Sequence, residues 1–202
     1  MTSRLRRVGA VGLALATLAA PSAAFAHTGV GDASGFAHGL MHPITGLDHI
    51  LAMVAVGIFA WQLGGRALWL VPATFVAVMA LGGALGVAGI DVPAVETGIA
   101  LSVVVLGAAV AAGYKVPVAA AMALVGVFAV FHGHAHGAEM PEDAGGLAYG
   151  LGFMTGTALL HLAGLAIGFG VGMVGSRLGP IVTRAAGGVI ALLGLGILAG
   201  AV

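Results

Sequence analysis

The sequence predicts an all-α, polytopic membrane protein with six transmembrane helices after a cleavable signal peptide. Three observations predict it. Of 202 residues, 60% are hydrophobic and 7% charged, with a mean hydropathy of +1.15, where a soluble domain carries about 25% charged residues. The apolar residues fall into stretches near the roughly 20 residues that a bilayer span needs. The 36 glycines suit helices that approach closely in lipid, where bare backbone allows contact.

Residues 1–26 read as a secretory leader. Arg4, Arg6 and Arg7 precede an apolar run from Val8 to Ala20, and Ala24-Phe25-Ala26 places small residues for cleavage before His27. The run is short for a span; an uncleaved signal anchor is the alternative. Cleavage there would leave His27 with a free amine beside its imidazole, two nitrogens able to chelate. His27 to Gly35 is a short polar segment. Six spans are then expected at about 36–63, 67–89, 94–113, 116–133, 146–174 and 181–201. They are separated by Gly64-Gly65-Arg66, Gly89 to Pro93, Gly113 to Pro117, the polar loop to Gly146, and Gly175 to Pro180. Residues 27–202 are thus expected to form one six-helix transmembrane domain.

Charge sets the expected orientation in the membrane. With the mature N-terminus outside, Arg66, Lys115, Arg177 and Arg184 all fall on the cytoplasmic side, as the positive-inside rule requires. Asp32, Asp91, Glu96, Glu139, Glu142 and Asp143 fall outside, and both mature termini are expected outside. Net charge is zero without a basic run, which leaves no basis for nucleic-acid binding. The absence of cysteine excludes thiolate metal sites, disulfides and cysteine nucleophiles. The eight histidines therefore supply the neutral nitrogen ligands.

Two histidine stretches stand at the outer side. The first is Met41-His42-Pro43-Ile44-Thr45-Gly46-Leu47-Asp48-His49, within the first span. Ionisable groups at membrane depth are costly and mark function by default. On a continuous helix His38, His42 and His49 share one face to within about 40°; Asp48, one step round, is either an acid of the same cavity or a hydrogen-bond partner holding His49 or the broken helix. Pro43, helped by Gly46, is expected to open this helix and free carbonyl oxygens. The second stretch, Phe131-His132-Gly133-His134-Ala135-His136-Gly137-Ala138-Glu139, closes the fourth span. His132, His136 and Glu139 share a face if the helix continues; Gly133 and Gly137 leave a flexible loop as the alternative. His161, mid-way along the fifth span, counts to the depth of Asp48 and His49 and is an inner ligand or a packed histidine. His38 reads first as a boundary residue, His134 as a loop residue, Glu142 and Asp143 as solvated acids, and the methionines as core filler.

Imidazole and carboxylate without thiolate suit Ni²⁺, Co²⁺, Zn²⁺ or Cu²⁺ rather than Mg²⁺ or Ca²⁺. Spacing alone does not choose among them. A divalent ion is the expected partner besides the lipid bilayer; no resident cofactor is expected, and oligomeric state, homo-oligomer included, is left open. No phosphate-binding loop of the Gly-x-x-x-x-Gly-Lys-Ser/Thr type is present, so energy from ATP by that route is not expected.

His42-Pro43-x-x-Gly46-x-Asp48-His49 and Phe131-His132-Gly133-x-Ala135-His136-Gly137-x-Glu139 resemble the two signatures of the HupE/UreJ family of nickel/cobalt permeases, along a chain of similar layout throughout. The resemblance implies a non-enzymatic inner-membrane secondary permease that takes up Ni²⁺, with Co²⁺ carried by some members, for hydrogenase or urease maturation. Carried over by position, His42, Asp48, His49, His132, His136 and Glu139 become the metal-handling residues. His27, His38 and His161 rest on the residue argument alone. Two other classes compete: a membrane-embedded zinc hydrolase, with an open metal position for water, and a haem carrier clamped by paired histidines.

Overall fold

A computed structural model of the chain describes residues 31–140 and 145–201, with side chains from residue 35. The expected leader, its cleavage point, His27, Glu142 and Asp143 lie outside the described residues. Every regular element among the described residues is a helix: α1 (Gly31–Thr45), α2 (Leu47–Leu63), α3 (Ala67–Val87), α4 (Val95–Ala112), α5 (Val118–Ala138), α6 (Gly146–Gly172) and α7 (Leu178–Leu198). The five helices α3 to α7 are each long and apolar enough to cross a membrane. The pair α1 and α2 passes the same test together, bent by 83°. The chain is a multi-pass membrane protein.

The first expected span, 36–63, is corrected by that bend: it is two helices rather than one. Pro43 lies inside α1 and has no N–H to give to the preceding turn. The Thr45 hydroxyl donates to the His42 carbonyl at 2.8 Å, and Gly46 is extended at φ −92°, ψ 124°. A Cβ on Gly46 would stand 2.8 Å from Asp48 Oδ1 and 3.0 Å from His49 Nδ1, so only glycine lets those side chains fold back over the break. The opening expected from Pro43 and Gly46 is therefore present. The fourth expected span is also extended: α5 continues to Ala138, so the second histidine stretch is helical.

Contacts between small residues give the helix directions. Gly133 abuts Met79 and Gly83, and Gly137 abuts Gly83, so α3 and α5 run parallel. Gly164 meets Val54 and Gly168 meets Trp61, so α2 and α6 run parallel. Gly107 meets Gly187 and Ala191 while Gly194 meets Val103 and Val104, so α4 and α7 are antiparallel. Alternating crossings demand this set of directions if α1–α2 counts as the first. Without a hydrophobic drive between helices in lipid, such close backbone packing is what holds them together. The interior is filled by Met53, Phe75, Met79, Leu106 and Val125, all buried, while Trp69, Leu81, Leu162 and Leu192 are exposed.

One end of the bundle collects the cations. Lys115 Nζ donates to the carbonyls of Gln62 and Leu63 at the end of α2. Arg184 donates from Nε to Ala111 and from Nη2 to Ala112 at the end of α4, each at 2.9 Å. Cations at helix C-termini satisfy orphan carbonyls and oppose the negative dipole end. Arg66 and Arg177 head α3 and α7 at the same end.

Candidate metal centre

The histidines gather at the opposite end. His49 stands in the first turn of α2, about 20 Å along the helix from Gln62 at 1.5 Å per residue. Its neighbours come from α5, whose Gly133 and Gly137 press against α3 backbone and leave His132 and His136, one turn apart, directed into the bundle. His132 is fully buried and His136 nearly so. From the other side α1 delivers His42, because Gly39, Gly152 and Gly156 let α1 lie against α6 with backbone nearly touching backbone.

Ligand atoms of His42, His136 and Glu139 all lie within 4.8 Å of one another, with Glu139 exposed. His49 joins this group: its Nε2 is 2.6 Å from Nε2 of His136, and both His42 and His49 have ring centroids 4.5 Å from that of His136. His132 stands next, 4.7 Å from His49 with the rings perpendicular. The result is a file of four imidazoles from the mouth inward, flanked by two carboxylates that can balance a dication.

Hydrogen bonds select the ring nitrogens. Asp48 Oδ1 accepts from His49 Nδ1 at 2.7 Å and from the His49 amide at 2.7 Å. An ionised carboxylate only accepts, so the His49 proton is on Nδ1 and Nε2 presents a lone pair. This is the carboxylate–histidine arrangement that orients metal-binding imidazoles. Two nitrogens 2.6 Å apart hold one proton or one cation between them, so metal and proton compete at the His49–His136 pair. At about 2.0–2.1 Å from each nitrogen, a bound ion needs the pair to open by less than about 1 Å. Ser102 gives its single proton to the Ile99 carbonyl at 2.6 Å, so it accepts from His132 Nε2 at 2.9 Å. His132 Nδ1 is thereby left bare and has no hydrogen-bond partner. At the mouth, the Tyr149 hydroxyl holds His42 through Nδ1 at 3.0 Å.

The sequence-predicted residues are thus placed in three groups. His42, Asp48, His49, His132, His136 and Glu139 come together, with Asp48 gripping His49 by one oxygen. The helical-face argument for His38, His42 and His49 does not cross the break at Gly46, since the two helices point 83° apart. His38 stays exposed, its ring 6.1 Å from His42 and 5.7 Å from Tyr149. His161 makes no hydrogen bond to the file; Phe75 touches both, its ring 5.6 Å from His132 and 5.1 Å from His161. Depth counted along a straight first helix misplaced it for the same reason. His134 is no loop residue; its Nε2 donates to the Ile90 carbonyl at 2.8 Å, tying α5 to the turn after α3.

Ser102, Tyr149, Phe75 and Phe153 were not singled out from sequence. A serine in the apolar run of α4 that follows Glu96 and Thr97, and a tyrosine in the first turn of α6, were the available signals. Phe153, 4.0 Å from the His136 ring, carried none, because phenylalanine is ordinary in a membrane span.

A family model described as HupE / UreJ protein matches residues 15–197. Protein HupE of Rhizobium leguminosarum bv. viciae is 49% identical over 186 residues, covering 92% of this chain and 95% of that protein. No solved structure matches the chain.

Proposed function

This chain belongs to the HupE/UreJ family, and from that premise we propose that it is a secondary permease taking up Ni²⁺, or Co²⁺, across a bacterial inner membrane. The observation that carries the reading is the convergence of His42, His136 and Glu139 within 4.8 Å, continued inward by the His49–His136 pair. Four imidazoles and two carboxylates form a donor set for a borderline divalent ion, and their serial arrangement suits passage better than storage. The ion enters among His42, His136 and Glu139, exchanges onto His49 as Asp48 keeps that ring oriented, and meets the bare nitrogen of His132. Lys115, Arg184, Arg66 and Arg177 at the opposite end support a cytoplasmic exit and a periplasmic mouth. Ion trapped by cytoplasmic binding would sustain flux without further coupling, and the receiving machinery is the maturation of a nickel enzyme such as hydrogenase or urease.

The test is uptake of radioactive Ni²⁺ into proteoliposomes of the purified protein, with Co²⁺ or Zn²⁺ in excess as competitor. Saturable uptake blocked by Co²⁺ and not by Zn²⁺ is expected. Tight binding without flux, accompanied by cleavage of a lipid or peptide, would replace the permease with the zinc hydrolase.

A further inference from the structure

Two fully buried polar side chains, Ser102 and His132, meet where α4 lies against α5. Gly98 brings the helices together: a Cβ there would stand 2.5 Å from the Phe131 ring. Ser102, one turn further along the same face, therefore arrives against His132, the residue after Phe131.

A serine inside a helix can be satisfied by its own backbone, donating to a carbonyl about one turn back. Ser102 does so, to Ile99 at 2.6 Å, and that bond takes its one proton. Only lone pairs remain on Oγ, and His132 Nε2 stands 2.9 Å from it. A carbonyl has no proton to give, so the roles cannot be exchanged: Nε2 carries the hydrogen and donates it. A neutral imidazole then has its lone pair on Nδ1. That nitrogen is buried without a partner, in a ring standing perpendicular to His49 at 4.7 Å. An unpartnered polar atom is costly in a medium of low dielectric constant. A histidine kept only for packing would have no reason to turn a bare nitrogen inward beside a second imidazole.

We infer that Ser102 is a positioning residue of the transport path: by holding the His132 proton on Nε2, it makes Nδ1 the nitrogen that receives the ion. The role in transport rests on the permease reading; the choice of nitrogen does not. His49 and His132 thus take the ion through opposite nitrogens, and they are oriented by different chemistry. Asp48 is an acid, and its charge-assisted bond makes His49 the stronger donor. Ser102 orients His132 without adding charge, so the inner ligand is the weaker one. A path conducts only if its sites release the ion as well as bind it.

The experiment reads the tautomer and transport together. Full-length protein with ¹⁵N-labelled imidazoles, in lipid nanodiscs, is followed by two-bond proton–nitrogen NMR, with His132→Gln identifying the His132 signals. Wild type is expected to carry the proton on Nε2. Ser102→Ala removes one oxygen and should let the proton spread over both nitrogens, lowering Ni²⁺ uptake well below saturation by about 2- to 10-fold. Ser102→Thr keeps the hydroxyl and should keep the wild-type tautomer. A His132 proton on Nδ1 in wild type overturns the assignment. So does Ser102→Ala with wild-type uptake, or with reduced uptake and an unchanged tautomer, the mark of a merely structural serine. Should Ser102→Ala not insert, Ser102→Gly, which adds no atom, is read in the same way. The tautomer and the Ni²⁺ affinity are both measured without flux. A wild type that takes up no Ni²⁺ would sink the permease reading, and those two measurements would still decide whether Ser102 selects the metal-binding nitrogen of His132.

Discussion

Asp48 is the residue whose role the geometry sharpens most, and Asp48→Asn tests it. The carboxylate does two things: it holds His49 by Nδ1 at 2.7 Å, and through that bond it keeps Nε2 free. Asparagine is nearly isosteric but carries one oxygen and one NH₂. If the amide oxygen faces His49, the tautomer survives with a weaker bond; if the NH₂ faces it, the imidazole proton moves to Nε2, where the metal should be. Hydrogen bonds to charged groups contribute about 1.5–3 kcal/mol, and loss of an orienting carboxylate typically costs about 10- to 100-fold in metal affinity. The two ranges agree at about 1.4 kcal/mol per tenfold. Because the Asp48 side chain is 25% exposed, solvent weakens the contact, and the expectation sits at the lower end, about tenfold. The assay is calorimetric titration of Ni²⁺ into protein in nanodiscs, with uptake followed at nickel concentrations well below saturation, where flux falls in proportion to affinity. Asp48→Asn should stay inserted and monodisperse, since the oxygen that accepts from the His49 amide can be kept. A well-inserted variant with wild-type affinity and uptake would refute the orienting role.

Three further outcomes follow from the same geometry. Tyr149→Phe removes the hydroxyl that holds His42 and should raise the KM for uptake about 2- to 10-fold with little change in maximal rate. Gly133→Ala would put a Cβ onto the Met79 carbonyl; overpacking of this kind costs about 1–3 kcal/mol and should lower thermal stability in detergent, whereas Gly150→Ala, with nothing within 4 Å, should leave it unchanged or slightly raised. Ni²⁺ affinity and uptake should both fall on acidification, because protonated imidazole cannot ligate; an affinity that does not change with pH for as long as the protein stays folded would show that the histidines do not carry the ion.

The ligand set shows how much of the site was legible. His42, His49, His132, His136 and Glu139 were identifiable because polar groups in so apolar a chain stand out against the cost of burying them. Their grouping was partly legible, since His132, His136 and Glu139 at i, i+4 and i+7 share a face once α5 is known to continue through Gly133 and Gly137. For Asp48 the sequence left two readings, a cavity acid facing the ion and a hydrogen-bond partner holding His49, and the tertiary structure places its Oδ1 on His49. Ser102, thirty residues before the His132 it accepts from, was invisible because nothing local links the two.

Composition alone determined that the chain is a helical, multi-pass membrane protein, because no soluble core can hide so large an apolar fraction and lipid leaves the backbone few alternatives to the helix. Local chemistry also determined that the first span opens near Pro43 and Gly46, since a missing N–H and a flexible residue act where they stand. Which helices are neighbours was beyond reach: in lipid every face is apolar, so hydropathy does not distinguish the side that meets another helix from the side that meets solvent. Glycine contacts decided it, setting α3 beside α5 and α2 beside α6. Those two pairings, and the 83° turn between α1 and α2, bring His42 and His49 to His136 and set Phe75 against both His132 and His161.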